Sequence, residues 1–138
     1  LDLAQYLVKQ DLGETPFTQS VQCFYAFDEA MNEFLEEGGW QARHQLFSSR
    51  MSKVQKKLLS FGIKPLIELS ESSCVLNTFQ LPLGKVYQHL HDELKSLGFI
   101  IYAGQGHFST KVFRLSLMGA ISENDMNRLL EALTKTLR

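Results

Sequence analysis

Apolar residues recur at helical intervals up to about residue 61 and at shorter intervals beyond it. Leu3, Tyr6 and Leu7 share one face of a short helix predicted over 2–10. Residues 11–20 form a connection broken by Gly13 and Pro16. A long helix is predicted over 19–37. Its stripe is Val21, Phe24, Tyr25, Met31, Phe34 and Leu35, interrupted by Asp28, and the Gly38-Gly39 pair stops it. A second long helix, over 40–60, carries Phe47, Met51, Val54 and Leu58, with Phe61 just beyond it. Arg50, Lys53 and Lys57 line a neighbouring face, which reads as solvated helix surface.

After Gly62 the period falls toward 2. Strands are predicted over 63–69, with Pro65 near the start where a missing N–H is tolerated, and over 74–80, with a turn at 70–73 between them. A helix over 85–97 turns Val86, Leu90, Leu94 and Leu97 inward and ends at Gly98. Strands follow over 99–103 and 111–118, joined through Gly104-Gln105-Gly106. Ser122 and Asp125 have the spacing of a capping box, and open a last helix bearing Met126, Leu129, Leu130, Leu133 and Leu137. The order α-α-α-β-β-α-β-β-α describes an α+β fold, a small, mostly antiparallel sheet covered by helices. The two long helices at the front hold more apolar surface than four strands can cover, which predicts packing on something outside the chain.

Composition agrees with a globular chain: 44% of the 138 residues are apolar and 21% charged, too much apolar material for disorder. The unbroken apolar stretch 99–103 is far short of the ~20 residues of a membrane span, and no signal-peptide pattern opens the chain. With 14 Lys and Arg against 15 Asp and Glu, the net charge of −1 gives no footprint for nucleic acid. Cys23 and Cys74 have no short spacing and no histidines at finger spacing, so no metal site is expected. They read as reduced core thiols of a cytoplasmic protein. A first residue of Leu rather than Met predicts a processed product or a piece of something longer.

Chemistry concentrates at Arg114. In Val112-Phe113-Arg114-Leu115-Ser116-Leu117-Met118, alternation puts Phe113, Leu115 and Leu117 on one face and Arg114 on the other, with Val112 and Ser116. A guanidinium among apolar neighbours needs a carboxylate, a phosphate or water. The pattern allows both a structural salt bridge and an anionic ligand. Gly104-Gln105-Gly106 is either a hairpin-like turn or a place of close ligand approach. It lacks the third glycine and following helix of a dinucleotide site. Thr15 to Ser20 sets hydroxyls before a long helix, where they either cap it or meet an anion. His89 and His91 are two apart, not the four of a helical zinc pair; His44 reads as solvated and His107 lies by the glycine loop.

Several stretches together resemble a known family. These are Thr15-Pro16-Phe17-Thr18-Gln19-Ser20-Val21, Phe24-Tyr25-Ala26 with Asp28-Glu29-Ala30, Glu36-Glu37-Gly38-Gly39 with Ala42-Arg43-His44, Gly62-Ile63-Lys64-Pro65-Leu66, Ile101-Tyr102-Ala103-Gly104-Gln105-Gly106, and Phe113-Arg114 with Met118-Gly119. In this order they resemble the C-terminal part of the class V, fold-type-I pyridoxal-phosphate aminotransferases. The nearest likeness is to the branch that moves an amino group from 2-aminoethylphosphonate to pyruvate, giving phosphonoacetaldehyde and alanine. Other branches, acting on serine or alanine with glyoxylate, are the rival within the family. A stand-alone anion-binding or dimerisation module is the rival outside it.

The resemblance implies pyridoxal 5'-phosphate as cofactor in the full-length enzyme, and a cytoplasmic homodimer. It implies residues 1–38 as a helical segment bordering a large domain and the dimer interface, and 39–138 as the C-terminal small α+β domain. Arg114 matches the family's substrate-anion arginine, and Gln105 would line the mouth of the site. Thr18 matches a threonine reaching the cofactor phosphate of the neighbouring subunit, and Thr15 stands where relatives often hold a tyrosine with that job. None of the nine lysines matches the Schiff-base lysine motif, so no catalytic residue is expected in this chain, which alone should be inactive.

Overall fold

The computed structural model describes residues 2–138. It divides into two compact units, one ending at Trp40 and the other spanning Gln41–Arg138. The first unit holds α1 (Leu3–Asp11) and α2 (Val21–Glu36). Asp2 starts α1 by accepting from the Ala4 and Gln5 amides. Neither helix buries a residue: Phe24, Tyr25 and Leu35 of the predicted α2 stripe are all exposed. Periodicity marks which face is apolar, not whether anything covers it. Gly38 and Gly39 both take positive φ, the backbone that ends α2 and that a side chain would strain. Cys23, predicted to be a core thiol, is exposed on α2, and Cys74 is only half-buried; both are free.

In the second unit α3 (Gly39–Ser60), all but its first two residues, leads to β1 (Leu76–Gln80), α4 (Tyr87–Ser96), β2 (Tyr102–Ala103), β3 (Val112–Ser116) and α5 (Glu123–Leu137). The strands form one antiparallel sheet in the order β1-β3-β2. The core joins Met51, Val54 and Leu58 of α3, Leu90 and Leu94 of α4, and Met126, Leu129 and Leu133 of α5 to Phe79, Ile101, Phe113, Leu115 and Leu117 of the sheet region. The rings of Phe79 and Phe113, directly paired across β1 and β3, stack with centroids 5.6 Å apart.

The α+β class and antiparallel sheet match the pattern of the chain, but among the described residues there are three strands, not four. The segment predicted as a strand over 63–69 makes a single bridge, Pro65 to Phe79. The Lys64 carbonyl and the Leu66 amide bond β1 on either side of Pro65, and beyond them the chain leaves the sheet for a 3-10 turn at Leu69–Glu71. The strand predicted over 99–103 shortens to Tyr102–Ala103, with Ile100 exposed, and Val86 is the exposed N-cap of α4 rather than part of its buried face.

The capping box is complete. The Ser122 hydroxyl accepts from the Asp125 amide at 3.1 Å, and the Asp125 carboxylate accepts from the Ser122 amide at 3.1 Å. Hydrogen bonds from Ser122 hold the Asp125 carboxyl below its ordinary value, aided by Arg128. A depressed folded-state value means that the box stabilises the fold above the ordinary carboxylate range and stops doing so as pH falls through the lowered one. Ser122→Ala is therefore expected to lower the melting temperature at neutral pH. In thermal melts its gap to the parent protein should narrow as pH is taken down through the carboxylate range.

Candidate functional site

β3 is the central strand, and its two faces differ as alternation requires. Phe113 and Leu115 are buried against the helices, while Arg114 lies half-buried on the opposite face. The register puts Thr78 of β1 and Tyr102 of β2 directly opposite Arg114, so the row Thr78-Arg114-Tyr102 crosses the sheet on one face. The Nε of Arg114 donates to the Ala103 carbonyl at 2.9 Å. This bond leans the side chain over β2 and fixes the plane of the guanidinium. No carboxylate pairs with Arg114 among the described residues, and its terminal nitrogens have no protein acceptor there. Of the two roles the sequence left open, the structural salt bridge is the one this geometry lacks.

A second phenol approaches the same strand. The Tyr87 hydroxyl, from the first turn of α4, donates to the Ile101 carbonyl at 2.9 Å. Burial pushes the pKa of the Tyr87 phenol above its ordinary value, so it ionises less readily; the Ala103 backbone and the charge of Arg114 work against that shift and the phenol of Tyr102 with it. The ring of His91, one helical turn beyond, lies 5.7 Å from that of Tyr87, and its Nδ1 meets Asp92 at 2.8 Å.

Gly104-Gln105-Gly106 leaves β2 for a 3-10 turn at Gly106–Phe108. Gly104 is required by crowding: a Cβ there would stand 2.7 Å from Val112 Cγ2 and closer still to the Phe108 carbonyl. Gly106 instead supplies a positive φ of 53°. Gln105 is exposed, two residues beyond the carbonyl that anchors Arg114. His107 is exposed and packs on Phe108 with centroids 4.1 Å apart. Next to this loop a concavity of about 420 Å³ is lined by Leu66, Gln80, Lys85, Phe108, Lys111 and Val112. Gln80 and Val112 are a directly paired couple two residues along the same face from Thr78 and Arg114.

Thr15 and Thr18 belong to the other unit, and both are exposed. The Thr15 hydroxyl donates to the Phe17 carbonyl at 2.9 Å. Neither threonine caps α2. Ser20 occupies the N-cap without a side-chain capping bond, its hydroxyl turned to Cys23 Sγ at 3.1 Å. The structure thus brings Arg114 and Gln105 to one end of the sheet and leaves the two threonines on a separate body.

One residue has a role that the sequence did not show. Arg50, predicted to be solvated helix surface, is buried with 6% of its area exposed. It donates to the carbonyls of Leu117 at 3.4 Å, Gly119 at 3.1 Å and Ile121, gripping the turn from β3 to α5. Lys53, on the same row, keeps the exposed position expected of it and pairs with Glu123 at 2.8 Å. No cluster of His, Cys, Asp or Glu among the described residues is suited to a metal ion, and no helix there is long and apolar enough to cross a membrane.

The chain is 32% identical over 129 residues to the 2-aminoethylphosphonate–pyruvate transaminase of Bacillus mycoides (strain KBAB4), an overlap covering 93% of this chain and 35% of the relative. The chain is homologous to aminotransferases. The transaminase of the same name from Bacillus thuringiensis (strain Al Hakam) gives 32% identity over 124 residues, 89% of this chain and 34% of the relative. This aminotransferase homologue therefore spans about a third of the length of the curated relatives it matches. Among solved structures it superposes on a subgroup IV aspartate aminotransferase from Thermus thermophilus with a TM-score of 0.80 and 26% identity, over 99% of this chain and 38% of that one. An alanine–glyoxylate aminotransferase from Nostoc sp. shares the fold at a TM-score of 0.76 and 23% identity, over 88% of this chain and 33% of that one. No protein-family model matches the aminotransferase homologue.

Proposed function

We propose that the chain is the C-terminal domain of a pyridoxal-phosphate aminotransferase that moves the amino group of 2-aminoethylphosphonate to pyruvate. The observation that carries this reading is Arg114, a cation anchored on a backbone carbonyl with its outer nitrogens directed to no protein acid. Such a fork suits the carboxylate of pyruvate or alanine, or a phosphonate. The relatives' names supply the substrates: the curated matches over 89–93% of this chain are 2-aminoethylphosphonate–pyruvate transaminases.

The cofactor's phosphate needs hydroxyl and amide donors. This chain offers the Thr18 hydroxyl just ahead of α2, where Ser20 leaves the helix start without a side-chain cap, and the Thr15 hydroxyl once it gives up the Phe17 carbonyl. That donor set fits a phosphate, with Thr18 reaching the cofactor of a partner subunit in a cytoplasmic homodimer and Thr15 beside it. Pyridoxal phosphate, when bound, supplies the electron sink for moving the amino group. Arg114 orients the substrate by its acid end, and Gln105 borders the entrance. The Schiff-base lysine comes from residues outside this chain, so the catalytic step belongs to the full-length protein and not to residues 1–138.

The deciding experiment assays the purified full-length protein with pyruvate and each of 2-aminoethylphosphonate, alanine and serine, and with glyoxylate as alternative acceptor. The phosphonate amine with pyruvate is expected to give the highest kcat/KM. Preference for serine or alanine with glyoxylate would replace this reading with the glyoxylate branch. A protein without any transamination would leave the anion-binding module.

A further inference from the structure

The geometry points to Tyr102 as the residue that distinguishes a phosphonate from a carboxylate at the Arg114 site, by donating its phenolic hydrogen to the third phosphonate oxygen. This rests on the reading of Arg114 as the anion anchor. A guanidinium whose Nε is taken by the Ala103 carbonyl keeps its terminal nitrogens for a ligand. Two parallel N–H bonds satisfy both oxygens of a planar carboxylate. A phosphonate is tetrahedral and carries a third oxygen, which leaves the plane of the fork and needs a donor from elsewhere.

The sheet register supplies two hydroxyl candidates, Thr78 on one side of Arg114 and Tyr102 on the other. Directly opposed residues in an antiparallel pair hold their Cβ atoms about 5 Å apart, so both are neighbours of the arginine. The bond to Ala103 leans the guanidinium over β2, toward Tyr102 and away from Thr78. Tyr102 is 60% exposed, so its ring is not committed to the core, and its hydroxyl has no protein partner among the described residues. Tyr87 is closer to its own task, since its hydroxyl already donates to the Ile101 carbonyl.

The test uses the full-length protein and two amine-free probes of matched length, ethylphosphonate and propionate, with dissociation constants measured by calorimetry. Tyr102→Phe is expected to weaken ethylphosphonate about ten-fold or more, the effect of one lost hydrogen bond to a charged group. It should leave propionate within about two-fold, because a carboxylate makes no demand on the phenol. Thr78→Val is the control and should change neither constant. Arg114→Ala should weaken both probes. If Tyr102→Phe weakens both probes alike, or neither, or if the parent protein does not bind ethylphosphonate, the inference is overturned. The Arg114 reading falls separately, if Arg114→Ala leaves propionate binding intact. A parent enzyme that transfers amino groups only from carboxylate donors still leaves the two binding constants to decide the role of Tyr102.

Discussion

Arg114→Ala in the full-length enzyme is expected to raise the KM for pyruvate strongly and to leave the melting temperature nearly unchanged. Truncating one partner of a hydrogen-bonded charge pair typically costs about 2–5 kcal/mol of binding. That range corresponds to roughly thirty-fold to several-thousand-fold in kcat/KM. Stability should hold because the guanidinium makes one bond to the protein, to the Ala103 carbonyl, and ties no acidic side chain among the described residues. Steady-state kinetics and a thermal melt on the same preparation separate the two roles. A collapse of the melting temperature with an unchanged KM would make Arg114 a structural residue and remove the anchor from the proposed site.

Arg50→Met should do the reverse. Arg50 is buried and donates to the carbonyls of Leu117, Gly119 and Ile121, while its guanidinium stands 5.8 Å from the centre of the Phe47 ring. Methionine replaces much of the stem and none of the donors. Each carbonyl left unpaired away from water costs about 1–3 kcal/mol. With three carbonyls at stake, two of them only partly buried, the loss is on the order of 3 kcal/mol or more. In a domain of this size that amounts to a fall of roughly ten degrees in melting temperature. The exposed Lys53–Glu123 pair on the same side of α3 is a useful contrast, since surface ion pairs contribute little. A melt of Arg50→Met indistinguishable from the parent protein would show that water satisfies the turn.

The contrast between these two arginines shows how far the sequence could be read. Arg114 was legible because alternation along a strand fixes which side chains share a face, and both of its flanking residues are buried. The α5 cap was legible because Ser122 and Asp125 are three residues apart and need nothing else. Arg50 was not. It lies on a helical row with Lys53 and Lys57, and its acceptors come from a turn 67–71 residues later in the chain. No local spacing carries that information. The segment after Gly62 misled in another way: Ile63 to Leu69 has the composition of a strand, yet its pairing with β1 stops at a single bridge, at Pro65. Cys23 was assigned to the core on composition, but α2 has no buried residue. In the candidate site, the glycine loop and Arg114 were visible as motifs, whereas the row through Thr78 and Tyr102 needed the strand register.

Arg114 is tethered to the main chain and not to another side chain. Every residue type at position 103 presents the same oxygen, so that position can drift over generations without untying the arginine. Exchange of the cation itself is less forgiving. Lysine has one nitrogen at the end of a flexible stem, and must choose between the peptide group and whatever visitor arrives. Arginine serves both at once, so a selection experiment that randomised this stretch of sheet should return varied residues around an invariant guanidinium.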